Sequence, residues 1–203
     1  MALAGLARAM SKSHFRITKS EIMAKGWSSL SKLTVEAQMR DGRQMSLSRE
    51  VADHGHGAAI LAVDPKRRTC LLVRQWRAGV AFNGEDGFLI EACAGLLDAD
   101  HPKECVRREA FEELGTHVHD IRHVCDAYSS PGAFSEKLSL FIGIYAEKDR
   151  INSGGGLSEE GEDIEVLEMP IGEAYGLIAS GGIIDAKTII LLQHVKLHPI
   201  TSL

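Results

Sequence analysis

Leu33, Val35, Ala37 and Met39, then Met45, Leu47 and Val51, fall at alternating positions on either side of Asp41-Gly42. That period-two pattern, over residues 28–39 and 43–51 around an Asp-Gly turn, predicts an antiparallel hairpin. Two apolar, β-branched runs at 58–63 and 69–76 are split by Asp64-Pro65 and predict a second strand pair. A short strand follows at 88–94. The period then lengthens: Val106, Ala110 and Leu114 recur every fourth residue, the stripe of a helix with one buried face. Pro102 suits its first turn, with Asp100 or His101 as the cap, and Gly115 suits a left-handed C-terminal position. Strands near 121–128 and 138–146, a glycine run at 153–156, a strand at 164–169 and helices at 171–179 and 186–196 complete the pattern. Strands grouped around a few helices predict an α+β layered sandwich.

Composition narrows the function classes. The 203 residues carry 23 basic and 28 acidic side chains, a formal charge of −5, with 44% hydrophobic and 25% charged residues. This is ordinary globular material, enough for one large domain with a small extension. No basic field favours nucleic acid, so a polyanionic substrate needs a metal or a local cluster of Arg and Lys. No run approaches the ~18 apolar residues of a membrane span. Cys70, Cys93, Cys105 and Cys125 form no C-x-x-C pair, and reduced thiols are expected. Residues 1–19 hold Arg8, Lys12, Arg16 and Lys19 and no acid; they are read as a disordered terminus. The expected compartment is the cytoplasm.

The chemistry concentrates on the predicted helix. Glu109, Glu112 and Glu113 share one helical face, and each like-charge pair costs about 0.2–0.5 kcal/mol unless a cation sits on it. Hard divalent cations take oxygen ligands, and Mg²⁺ usually combines a few carboxylates with substrate phosphates. Arg108 lies four residues before Glu112 and is placed to orient that carboxylate. A second acidic run holds Glu159, Glu160, Glu162, Asp163 and Glu165 within residues 159–165. Such a run is commonly a solvated loop, but after a glycine hinge it reads as a lid. Arg74 and Arg77 flank Trp76 at a strand end, suited to a diphosphate and a stacked base, or equally to an exposed edge.

The segment Gly95 to Gly115 resembles the Nudix box, G-x5-E-x7-R-E-U-x-E-E-x-G-U with U apolar. Gly95, Arg108, Glu109, Glu112, Glu113 and Gly115 match it. Between Gly95 and Arg108 the segment is one residue short, with Asp100 or His101 where the pattern has its first Glu. Ala110 and Thr116 occupy the U positions. Flanking stretches are similar to the nucleotide-sugar branch of Nudix hydrolases, and most of all to bacterial GDP-mannose pyrophosphatases. These stretches are Arg74-Gln75-Trp76-Arg77, Ser130-Pro131-Gly132 with Glu136, Gly154-Gly155-Gly156, and Asp185-Ala-Lys187-Thr188.

The resemblance implies an α/β/α sandwich with a mixed sheet over residues 53–198. It also implies an N-terminal antiparallel extension over 20–52 that builds a homodimer and completes the partner's site. The implied reaction is hydrolysis of a nucleotide-sugar diphosphate, GDP-mannose to GMP and mannose 1-phosphate, with Mg²⁺ as cofactor and Mn²⁺ as a substitute. Glu109, Glu112 and Glu113, with a carbonyl at Ala94 or Gly95, are the implied metal ligands, and Arg108 orients them. Glu160 falls at the catalytic-loop position of related enzymes, with Glu162 as the alternative. Arg74, Trp76, Arg77, Pro131, Gly132 and Glu136 are the implied substrate contacts. Two other readings stay open: an ADP-ribose pyrophosphatase, and a non-catalytic nucleotide-sugar sensor. The intact Glu trio counts against the sensor.

Overall fold

The structure is a computed structural model that describes residues 14–157, 159 and 161–200. The Cα positions separate into two compact units. One takes the chain up to His54 together with residues 130–136; the other takes 55–129 and the chain from Lys137 onward.

In the first unit, β1 (His14–Lys25), β2 (Ser29–Gln38) and β3 (Gln44–Asp53) form an antiparallel sheet in that order. The β2–β3 hairpin falls where Asp41-Gly42 predicts it, with Gly42 at φ +87° and Met39 paired to Arg43 across the turn. β1 departs from the sequence expectation. Residues 14–19, read as part of a disordered arm, are its first half, paired to β2 from His14↔Gln38 onward. The rest of that arm, residues 1–13, lies outside the described residues. Residues 130–136 join this unit by backbone bonds: Ala52 donates to Ala133 at 2.8 Å and Ser135 to Ala52 at 3.0 Å.

The second unit holds a seven-stranded mixed sheet with helices on both faces. β4 (Gly57–Asp64) is its centre: all eight residues are buried, and it runs parallel to β9 (Lys137–Ile144). The other strands are β5 (Thr69–Trp76), β6 (Phe88–Glu91), β7 (Cys93–Leu96), β8 (His119–Tyr128) and β10 (Glu165–Pro170). The order is β10-β5-β4-β9-β8, with β6 on β5 and β7 on β4. Alternation along β4 divides the core. Ala58, Ile60 and Ala62 face Cys105, Val106, Ala110 and Leu114 of helix α2 (Pro102–Glu112) and its end. Ala59, Leu61 and Val63 face Ala174 of α3 (Ile171–Ser180) and Leu191, Leu192 and Val195 of α4 (Ala186–Leu197). A strand buried on both faces reads as a continuous apolar run because neither face meets water.

Two details differ from the sequence pattern. A short helix, α1 (Ala78–Phe82), follows β5 and has no buried residue, so no apolar stripe announces it. The strand expected over 88–94 is two strands that pair with different neighbours. At the break, the Ala92 N–H leaves the ladder and donates to Thr188 Oγ1 at 2.7 Å. That break lets the chain cross from β5 to β4 and deliver Ala94 and Gly95 to helix α2.

Candidate active site

Helix α2 starts on His101, whose Nδ1 accepts from the Lys103 N–H at 3.3 Å, with Pro102 in the first turn. Of the two caps the sequence allows, the structure uses His101; Asp100 instead faces Arg108 Nε at 3.5 Å. Gly115, at φ +64°, closes the helix.

Seating the apolar stripe on the sheet forces the carboxylates inward. Glu113 is 1% exposed and Glu109 8% exposed. Glu113 accepts from the Ala94 N–H at 3.3 Å and from the Cys93 thiol. Glu109 packs so closely on Gly95 that a Cβ there would collide with its carboxylate, which explains the glycine. Arg108 bridges the set, with Nη1 at 2.9 Å from Glu109 and 3.0 Å from Glu112. Burial and the Glu112 and Glu162 carboxylates push Glu109 up to about 7, against the pull of Arg108. Burial, with Glu109 and Glu162, pushes Glu113 up to about 8 despite its hydrogen bonds.

The acidic loop is tied to the same helix. Gly155 and Gly156 N–H groups donate to the Glu113 and Glu112 carbonyls at 2.9 and 3.2 Å, satisfying acceptors that a helix end leaves open. Gly154, at φ +68°, passes so near the Glu113 carbonyl that a side chain would strike it. Glu162 then accepts from the Leu157 N–H at 2.8 Å, and its charge reaches both Glu109 and Glu113. Glu160 lies outside the described residues.

The remaining sequence candidates divide. Arg74 stacks over Phe88, 4.2 Å from its centroid, and lies 3.5 Å from Glu165. Trp76 is 53% exposed and packs on Gly87. Arg77 binds Glu91 at 2.6 Å. Pro131, Gly132 and Glu136 belong to the first unit, where Ser130 accepts from Ala133 and Phe134 to make a turn. Glu136 there lies 3.2 Å from His54, which stacks on Trp27. Sequence reasoning missed Glu91 and the Cys93 thiol. A lone acid within the apolar run Leu89-Ile90-Glu91-Ala92-Cys93 was the available signal for Glu91.

Three carboxylates on one helix, a fourth in reach and one bridging guanidinium leave surplus negative charge on hard oxygen donors. This donor chemistry fits a divalent cation. Among the described residues no three His, Cys, Asp or Glu side chains are already gathered as a ligand set.

A mixed sheet between helices, with a carboxylate helix entered through a tight glycine loop, defines a Nudix-type sandwich. Residues 53–192 match the NUDIX domain, and the chain belongs to that family. It is 44% identical over 185 residues to a GDP-mannose pyrophosphatase of Cronobacter sakazakii, covering 91% of this chain and 96% of that one. It is 42% identical over 181 residues to a GDP-mannose pyrophosphatase of Escherichia coli K12, covering 89% and 94%. The crystal structure of an ADP compounds hydrolase superposes with a TM-score of 0.69 at 16% identity, covering 90% of this chain and 92% of that one. Members of this family generally need a divalent metal.

Two outcomes follow from this geometry. Gly154→Ala puts a side chain at positive φ against the Glu113 carbonyl, and is expected to cost about 1–3 kcal/mol. Thermal denaturation should show a lower midpoint, with turnover reduced in the folded fraction. For the metal-free protein, Glu109 and Glu113 bind protons more tightly folded than unfolded. Their contribution is full below about 4.5, the ordinary carboxyl value, and is lost as pH rises to about 8. Melting in chelator should therefore weaken from pH 6 to pH 8, and Mg²⁺ should raise the midpoint more at pH 8.

Proposed function

We propose that this protein hydrolyses the diphosphate of GDP-mannose to GMP and mannose 1-phosphate. The observation that carries this reading is an intact carboxylate helix in a chain 44% identical, across 91% of its length, to a GDP-mannose pyrophosphatase. Glu109, Glu112 and Glu113 and the carbonyl of Ala94 or Gly95 would hold Mg²⁺, or Mn²⁺ in its place. When bound, such an ion neutralises diphosphate charge and acidifies a water. The chain's own residues do the rest. Arg108 orients Glu109 and Glu112. Arg74 and Arg77 supply positive charge for the diphosphate, and Trp76 offers a face for stacking. Pro131, Gly132 and Glu136 are proposed substrate contacts.

In the reaction a water oxygen bonds to one phosphorus, the bridging P–O bond breaks, and the bridging oxygen leaves with the other phosphate. The water proton passes to a carboxylate of the acidic loop. The reach of Glu162 to Glu109 and Glu113 supports it in that role, with Glu160 as the other candidate. Four free cysteines suit a reducing compartment, which supports the cytoplasm.

A second copy of the chain is proposed to cover the β1–β3 sheet and to use residues 20–52 at the partner's site. All twelve residues of β1 are exposed, among them Phe15, Ile17, Ile22 and Met23. Such an apolar surface on a soluble protein marks an interface.

Incubation of GDP-mannose and ADP-ribose with Mg²⁺, followed by chromatography, tests the substrate. The expected result is GMP and mannose 1-phosphate formed with the higher kcat/KM. A tenfold or greater preference for ADP-ribose, about 1.4 kcal/mol, would reassign the substrate. Glu113→Gln should lose several orders of magnitude in turnover while staying folded, as expected when metal-borne charge stabilisation goes. Sedimentation at micromolar concentration should give twice the chain mass of 22.1 kDa. A fully active monomer would refute the shared site.

A further inference from the structure

Glu91 ends β6 with its side chain 4% exposed. A carboxylate stripped of water costs several kcal/mol unless cations and donors replace that water. Here both oxygens are taken. Oε2 accepts from Arg77 Nη2 at 2.6 Å, Arg77 Nε at 2.9 Å and Gln75 Nε2 at 3.3 Å, while Oε1 faces Lys187 Nζ at 3.3 Å. Lys187, itself 10% exposed, also lies 3.0 Å from Asp185, which caps α4 through the Thr188 N–H at 3.0 Å. Two carboxylates and two cations thus close on each other, tying β5, β6 and the start of α4 together.

The pairing is asymmetric in a way that a stabilising ion pair does not require. The Arg77 side chain is 40% exposed, ten times its partner. Its Nε and Nη2 are bound to Glu91, whereas Nη1 makes no hydrogen bond among the described residues. One edge of a planar donor is anchored on a buried anion and the other stays open, the arrangement of a receptor whose orientation is fixed before its anion arrives. Burial works against the Arg77 charge, but Glu91, Glu113 and Asp185 outweigh it, so the field of the carboxylate helix reaches this guanidinium. Stability alone gives no reason to keep the cluster, because apolar side chains of similar volume commonly serve as well.

We propose that Glu91 is a positioning residue for substrate binding: it fixes the Arg77 guanidinium, and with it the Lys187 ammonium, toward the diphosphate of the nucleotide sugar. This rests on the reading of the protein as a nucleotide-sugar hydrolase. Glu91 itself touches no substrate. It acts through the direction in which Arg77 presents its open edge, so its loss is expected to weaken binding more than chemistry.

The test compares the full-length wild type with Glu91→Gln, Arg77→Lys and the double variant, by kinetics on GDP-mannose and by calorimetric binding of GDP with Mg²⁺. Glu91→Gln is expected to raise KM about tenfold, with kcat changed less than about threefold, and to weaken GDP in parallel. In the Arg77→Lys background it should add less than about threefold, because both substitutions act through one group. If Glu91→Gln does not fold, Glu91→Asp keeps the charge but shortens the reach, and must show the same rise in KM. A folded variant with unchanged KM and GDP affinity overturns the proposal, as do effects that multiply fully in the double variant. A wild type that binds GDP but leaves GDP-mannose intact refutes the substrate reading alone, and the GDP affinities then decide the role of Glu91. A wild type that binds no GDP overturns it.

Discussion

Enclosing Glu113 and Glu109 beneath a glycine loop is the constraint on which the rest of this site depends. Two neighbouring carboxylates, 1% and 8% exposed, lie in a low-dielectric wall where charge is costly. Arg108 offsets part of that cost by touching Glu109 and Glu112, but it does not reach balance while Glu113 and Glu162 add to the field. The folded chain thus holds an electrostatic deficit of known sign. A bound divalent cation would relieve it, and protons relieve it without one: burial, with the Glu109 and Glu162 charges, carries Glu113 up to about 8.

Backbone geometry makes that enclosure possible. Gly95 lets a strand end lie directly on the Glu109 carboxylate, and Gly154 lets the following loop lie on the Glu113 carbonyl. The strap then donates Gly155 and Gly156 N–H groups to the carbonyls of Glu113 and Glu112. Glu162 accepts from the Leu157 N–H, directly after the three glycines that meet the end of helix α2. Elsewhere in the same unit, the buried Glu91 holds Arg77 and Lys187 in the same manner, anion beneath cation.

How much of this was legible in the sequence depends on the range of the interactions. Helix α2 was readable because Val106, Ala110 and Leu114 write its buried face and Glu109, Glu112 and Glu113 its chemical one, all within a few turns. The Asp41-Gly42 hairpin and the central strands β4 and β5 were readable for the same local reason. β1 was not: its residues are exposed on both faces, so no core imposes alternation on it. The split between β6 and β7 hangs on Thr188, 96 residues beyond Ala92, and no local pattern encodes it. Arg77 read as a substrate contact without its partner, since nothing local reveals the pairing with Glu91. The cap of α2 was ambiguous because Asp100 and His101 both suit it, and only the pull of Arg108 on Asp100 separates them.

Proton release on metal binding tests the central claim most directly. If Mg²⁺ binds carboxylates that burial has partly protonated, it must displace protons near neutral pH and not well above pH 8. Calorimetric titration with Mg²⁺ in buffers of different ionisation enthalpy measures that number. The account predicts release of more than one proton per chain at pH 7, falling close to zero near pH 9, and much reduced in Glu113→Gln. Saturable Mg²⁺ binding with no proton release at pH 7, or binding unchanged in Glu113→Gln, would contradict it.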